Sequence, residues 1–179
     1  MSRFLAFAAH VESVDEAKAH IAEVGRKYHD ARHVCWAYMV GKENPESMSN
    51  DNGEPSGTAG KPILGQINSF GLTDVAIAVV RYFGGIKLGT SGLIQAYRES
   101  ARTALENAQI IECHVMDVIG FTFPYIAMNE VMKLVKQPGI RIIDQTFDNT
   151  CAMTVSIRKD DSARLRARLA DTDGVSLLD

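Results

Sequence analysis

Residues 74–97, DVAIAVVRYFGGIKLGTSGLIQAY, contain two changes of pattern that decide the fold. Val75 to Val80 is an unbroken apolar run rich in β-branched residues. It is too short for an ordinary helix and is closed by glycines, so it predicts a buried strand. Arg81, Tyr82 and Phe83 end it, and Gly84-Gly85-Ile86-Lys87-Leu88-Gly89-Thr90-Ser91-Gly92 follows. Glycines let a backbone take φ > 0 and approach a ligand closely. Beyond Gly92 the period becomes helical, placing Leu93, Tyr97, Ala101, Leu105 and Ala108 on one face. The order is strand, glycine-rich loop, helix, with Thr90 or Ser91 as the expected N-cap.

Free N–H groups at a helix start, with the positive dipole end behind them, attract an anion. Lys87 inside the loop and Arg81 just before it add charge of the right sign. The same glycines also serve a plain packing turn, and both readings stand at this point. Neither familiar phosphate fingerprint is present: Lys87 precedes Gly89, and no G-x-G-x-x-G occurs.

The 179 residues suffice for one large or two small domains. A formal net charge of −3 argues against non-specific nucleic-acid binding, so any RNA contact needs a local patch. The three cysteines, Cys35, Cys113 and Cys151, form no C-x-x-C, which fits reduced thiols in a cytoplasmic protein. No apolar run reaches membrane length and no signal pattern opens the chain, so no membrane is expected.

Arg3 to Ala9 predicts a strand. Ser13-Val14-Asp15-Glu16 predicts a capping box opening a helix over Val14 to Tyr28. His33 to Val40 predicts the next strand. His29 and His33 straddle that helix-to-strand turn, so they read as a surface pair rather than zinc ligands. Gly41 to Gly60 is polar and turn-rich and reads as a loop, with Asp51, Glu54, Ser56 and Thr58 as its supporting residues. Asp51 and Glu54 suit holding a cation, orienting a basic side chain or capping turns. Thr58 is the expected cap of a helix carrying Lys61, Pro62, Ile63, Leu64 and Ile67. Two helix starts, each with a nearby cation, predict that Lys61, Arg81 and Lys87 converge on one electropositive cleft.

From Ile111–His114 the chain starts a second pattern. Strand His114–Phe123, helix Ile126–Lys136, strand Ile140–Phe147, a turn at Asp148-Asn149, strand Cys151–Arg158, helix Asp160–Leu169 and strand Val175–Leu178 give β-α-β-β-α-β, which is ferredoxin-like. Arg164, Arg166 and Arg168 fall on a solvated helix, Arg166 pointing away from the other two. The predicted domains are 1–112 and 113–179, and the class is α+β.

DNGEPSGTAGKPIL followed by VVRYFGGIKLGTSGLIQAY resembles the bacterial, YigZ-type members of the IMPACT family. Arg32-His33-x-Cys35 and the opening Ser2-Arg3-Phe4 fit the same pattern, and the resemblance covers essentially the whole chain. It implies a first domain with the fold of ribosomal protein S5 domain 2 and a ferredoxin-like second domain. Family members usually carry a short segment before Ser-Arg-Phe, so an early β element is expected to be missing here. Eukaryotic members regulate translation by competing for a scaffold that activates an initiation-factor kinase, through an additional N-terminal domain not present in this chain. The two-domain architecture is similar to the C-terminal domains of translocation factor G, which points toward the ribosome or structured RNA by fold analogy.

The resulting expectation is a non-enzymatic binding protein in translation or its stress regulation. Its anion or RNA site would be Lys61, Arg81, Gly84, Gly85, Lys87, Gly89, Thr90, Ser91 and Gly92, with no metal and no cofactor. The alternatives are a protein-interaction module and a phosphate- or nucleotide-handling enzyme. In the enzyme Asp51 or Glu54 would hold Mg²⁺ or act as base. Neither Cys35 near His33 nor any serine can be set against a base from sequence alone.

Overall fold

The computed structural model describes residues 2–148 and 150–178. The chain divides into two compact units, one running to Ile111 and the other beginning at Glu112.

The first unit runs β1 (Arg3–His10), α1 (Val14–Lys27), β2 (His33–Val40), β3 (Glu46–Asn50), α2 (Gly60–Ser69), β4 (Val75–Tyr82) and α3 (Gly89–Glu106). Its sheet has the order β1-β4-β2-β3, and all three pairings are antiparallel. Strand alternation sorts the core into two faces. Cys35, Ala37, Val75, Ile77 and Val79 pack with Ile63 and Ile67 of α2 and with Leu93, Tyr97, Ala101 and Leu105 of α3. On the opposite face Tyr38, Val40 and Ala76 pack with Ala17 of α1, and Ala78 and Val80 with Val24. Helices on both faces explain why β4 reads as continuous rather than alternating apolar sequence. Ala108, expected on the α3 stripe, is exposed and lies beyond the helix end.

The capping box holds α1: Ser13 Oγ accepts from the Glu16 N–H at 3.2 Å, and the Glu16 carboxylate reaches back to the Glu12 N–H at 2.7 Å. Strand β3 lies inside the stretch expected to be loop. Its sequence, ESMSN, has no apolar run, and it is a strand because Trp36–Val40 of β2 supplies a partner for its backbone.

The second unit runs β5 (Met116–Phe123), a short 3₁₀ turn, α4 (Met128–Val135), β6 (Arg141–Phe147), β7 (Cys151–Arg158), α5 (Lys159–Ala170) and β8 (Ser176–Leu178). Its sheet order is β6-β7-β5-β8, again antiparallel throughout. Ile119, Phe121, Phe123, Met153, Val155 and Ile157 form its core with Val131, Leu165 and Leu169. Asn149 of the expected β6–β7 turn lies outside the described residues. Arg166 reaches Asp117 Oδ2 at 3.4 Å, while Arg164 and Arg168 line a small concavity beside Gln137.

Candidate functional site: a cleft in the first unit

The loop between β3 and α2 is organised by its own carboxylates. Asp51 Oδ1 accepts from the N–H groups of Ala59 and Gly60 at 2.9 and 2.8 Å, and Oδ2 from that of Gly57 at 2.8 Å. Burial alone would raise this carboxyl, but the three backbone donors and nearby Lys61 outweigh it and hold it below the usual carboxylate range. Asp51 is therefore the anion that the start of α2 attracts. Thr58 does not cap the helix, because its hydroxyl donates instead to the Pro55 carbonyl at 2.6 Å. Tight packing of this helix start against β3 depends on Gly60, where an added Cβ would sit 2.7 Å from Asn50 N.

Glu54 is buried, and three groups converge on its Oε1. Arg81 Nη1 donates at 2.6 Å, Tyr97 OH donates at 2.8 Å, and His33 Nε2 lies at 4.0 Å. His33 is oriented from its other nitrogen, Nδ1, which donates to the Asn52 carbonyl at 2.7 Å. Asn52 sits at φ 42 and also accepts the Val34 N–H on its side-chain oxygen. The Arg81 guanidinium has the Phe4 and Phe83 rings each 5.7 Å away, and its Nη2 reaches Ser2 Oγ at 3.3 Å. Its Nε is buried and unbonded among the described residues.

Cys35 lies beneath this centre. Its Sγ is 2.9 Å from the Asp51 carbonyl and 3.3 Å from Tyr97 OH. Burial, reinforced by the Glu54 and Asp51 carboxylates, pushes the thiol up to about 12. Burial likewise pushes the Tyr97 phenol upward, with Cys35 and Glu54 adding to it. Both stay protonated at neutral pH, so Cys35 is a packed hydrogen-bond donor and not a nucleophile.

Above Glu54 a cleft of about 500 Å³ opens, lined by Arg32, His33, Glu54, Arg81, Lys87, Gly89 and Thr90 with apolar walls from Pro55, Phe83, Leu88 and Leu93. Helix α3 starts in this wall. Its N-cap is Leu88 and no side chain caps it, so neither Thr90 nor Ser91 fills the expected role. The first-turn N–H groups of a helix have no intrahelical acceptor. Gly89, at φ 72, and Gly85, at φ 86, supply the left-handed turns that bring the chain there.

Residues 1–105 match the Impact N-terminal domain. The chain belongs to the IMPACT family. It is 33% identical over 178 residues to IMPACT family member YigZ of Escherichia coli (strain K12), covering 98% of this chain and 87% of that one. IMPACT family member YvyE of Bacillus subtilis (strain 168) is 36% identical over 130 residues, 73% of this chain and 60% of that one. A crystal structure of a hypothetical protein aligns with a TM-score of 0.71 at 32% identity, over 99% of this chain and 88% of that one.

Within this IMPACT chain the expected site residues divide into three groups. Arg81, Lys87, Gly89 and Thr90 share the cleft, with Gly84, Gly85, Ser91 and Gly92 in the loop and helix start that form its wall. Lys61 does not join them: it lines a separate concavity of about 580 Å³ with Gly57, Gln66, Ile94 and Arg98. The common cleft of three cations is thus corrected to Arg81 and Lys87, with Arg32 and His33 from the start of β2. Among the supporting residues, Glu54 is the buried centre, Asp51 and Thr58 are spent on the loop itself, and Ser56 is exposed. Asp51 has its oxygens on three backbone N–H groups. Sequence reading missed Tyr97 and Phe83 as site residues. A lone arginine ending a fully apolar strand was the available signal, since a buried guanidinium requires a buried acid.

Among the described residues no helix is long and apolar enough to cross a membrane.

Proposed function

We propose that this IMPACT protein is a non-catalytic binding protein of the cytoplasm that acts in translation or its regulation. It would grip a phosphate of the ribosome or of a structured RNA in the cleft of its first unit. The uncapped start of α3, open to a wall that carries Lys87, Arg32 and His33, is the observation that supports this reading. Family membership supports the translation role. The cleft is local, which reconciles anion binding with a net charge of −3. Arg81 contributes field and shape more than a free contact, because its Nη1 is committed to Glu54. Phe83, 45% exposed at the rim, offers a face on which an unstacked base can lie.

The test is binding of purified ribosomes and of a structured RNA at a series of salt concentrations. About three phosphate contacts give a log K against log salt slope of roughly −2 to −3. Arg32→Glu and Lys87→Glu each weaken binding by about 1–3 kcal/mol, whereas Lys133→Glu, in the second unit, has little effect. Association that is insensitive to salt and to both reversals defeats the proposal. Charge reversal at Arg81 is not a clean test, because it breaks a buried pair.

The pairing of His33 with buried Glu54 beside the cleft favours one second reading, a phosphate- or nucleotide-handling enzyme with Glu54 as its base. A rise in melting temperature with ATP and Mg²⁺, together with silent RNA assays, would favour the enzyme. The fold assignments belong to the same proposal. The β-α-β-β-α-β order and the antiparallel β6-β7-β5-β8 sheet support a ferredoxin-like second domain. The four-stranded sheet carrying α2 and α3 on one face supports an S5 domain 2-like first domain. A fragment of residues 112–179 that shows its own cooperative unfolding transition would support separate domains, and an unfolded fragment would count against them.

A further inference from the structure

We propose that the cleft above Glu54 and the concavity that carries Lys61 and Arg98 form one track for an unpaired stretch of RNA, which lays successive phosphates along both. This rests on the phosphate reading of the cleft and adds the class of ligand, a single strand rather than a duplex. The cleft is the size of one nucleotide: its volume of about 500 Å³ lies in the range of sites that enclose a single small molecule. Its lining sets Arg32 and Lys87 beside the partly exposed ring of Phe83. Cations next to an aromatic face are what binds single strands, because only an unstacked base can reach such a ring. Arg81, its side chain 7% exposed, lines the same cleft and keeps an Nε without a partner among the described residues.

The second concavity shares a ridge with the cleft. In the loop before α2, Pro55 lines the cleft and Gly57 lines the concavity, with exposed Ser56 between them. On α3, Thr90 and Leu93 line the cleft, and Ile94 and Arg98 line the concavity. Thr90 to Arg98 spans about 12 Å of helix axis at about 1.5 Å per residue. A strand that leaves the cleft over this ridge therefore reaches Lys61 and Arg98 within a few nucleotides.

Charge sets this track apart from the rest of the chain, which has 22 acidic against 19 basic residues. Arg32, Arg81, Lys87, Lys61 and Arg98 line the track. Among the described residues its one lining carboxylate is Glu54, which is bonded to Arg81. Helix α2, GKPILGQINS, contains no acidic residue. Lys61 and Arg98 form no ion pair among the described residues, whereas Arg102, one turn further along α3, is paired with Glu106 at 2.7 Å. Lys61 does feel the Asp51 carboxylate, but backbone N–H groups already hold the oxygens of that acid. Gly65 leaves the concavity open, since an added Cβ there would meet nothing within 4 Å.

The test titrates the full chain with a uridine dinucleotide and a uridine octanucleotide, followed by amide-resolved NMR, which reads millimolar affinities. The dinucleotide fills the cleft alone, and the octanucleotide spans both concavities. The octanucleotide is expected to bind at least about tenfold more tightly. It also shifts the amides of Lys61 and Gly65, which the dinucleotide leaves in place. Lys61→Glu and Arg98→Glu remove the gain without weakening the dinucleotide. Lys18→Glu, exposed on α1 across the sheet, changes neither. Circular dichroism melts check each variant, and the corresponding Gln variant replaces any that does not fold. Three outcomes overturn the track. In the first, the two reversals weaken both oligomers equally, which makes these charges a general field. In the second, Lys87→Glu weakens the octanucleotide while Lys61→Glu and Arg98→Glu do not, which leaves the phosphate site standing without a second concavity. In the third, a duplex of the same length binds more tightly than the single strand. If Lys87→Glu also leaves both oligomers unaffected, the phosphate reading of the cleft falls together with the track.

Discussion

Replacing Glu54 tests whether the cleft is built on a buried ion pair. In Glu54→Leu the Arg81 guanidinium, its side chain 7% exposed, loses its only carboxylate partner among the described residues. Tyr97 OH, fully buried, loses its acceptor. Removing one member of a buried pair costs about 3–5 kcal/mol, because the other charge stays desolvated and uncompensated. For a unit of this size that is roughly 10–20 °C in melting temperature. Arg81→Met leaves Glu54 stranded and costs a similar amount. The double variant removes both charges, so its remaining loss is about 1–3 kcal/mol from the unsatisfied phenol, far below the sum of the single losses. Trp36, the sole tryptophan, stacks on Tyr38 at 5.8 Å in β2 and reports unfolding of the first unit. Urea titrations followed by its fluorescence give the three losses. Single variants within about 0.5 kcal/mol of the parent, or losses that add in the double variant, would refute the buried pair.

The remaining predictions concern the loop and core around that centre. Asp51→Asn turns an acceptor into a donor facing N–H groups and destabilises the first unit by about 1–3 kcal/mol. The Asp51 carboxyl is held below its usual range, so its contribution is present above the unfolded value near 4 and lost as pH falls through the lower folded value. The gap between parent and variant in urea midpoints therefore narrows in acid. The Cys35 thiol, pushed up to about 12, has the opposite sign: its contribution is full below the unfolded thiol value and is lost as pH rises toward about 12. Cys35→Ala accordingly flattens part of the alkaline decline in urea midpoint, to which the raised phenols of Tyr97, Tyr38 and Tyr82 also contribute. In native protein a maleimide labels exposed Cys113, and buried Cys35 and Cys151 react only on unfolding, as peptide mass mapping shows. Gly60→Ala gains about 1 kcal/mol of helix propensity. The new Cβ lies 2.7 Å from Asn50 N and 3.0 Å from Asn50 C, both backbone, so the net change is a loss. A thermal melt that rises would show that β3 yields.

Local pattern was enough for most elements. The apolar run Val75–Val80 could only be buried, the stripe Leu93-Tyr97-Ala101-Leu105 could only face a core, and Ser13 with Glu16 marked the start of α1. The β-α-β-β-α-β order of the second half was legible because each segment there carries its own period and its own breaks. Interactions between distant residues lay beyond that reading. β3 is polar and becomes a strand only against β2, so sequence showed a loop. Glu54, Arg81 and Tyr97 meet across separations of 27 and 43 residues, and no local signal tells a carboxylate that orients a buried arginine from one that holds a cation. Asp51 and Thr58 were both plausible caps by type. Asp51 took the start of α2 because the loop folds its carboxylate onto three N–H groups, and Thr58 turned to Pro55. Lys61 and Lys87 follow similar glycine-bearing turns, yet α2 and α3 direct them to different concavities. Apart from β3, sequence alone determined which segments are helix or strand and which faces are apolar, because those follow from short-range periodicity and burial. Which charges meet, and which helix start is left without a side-chain cap, was decided by the packing of α2 and α3 on one face of the sheet.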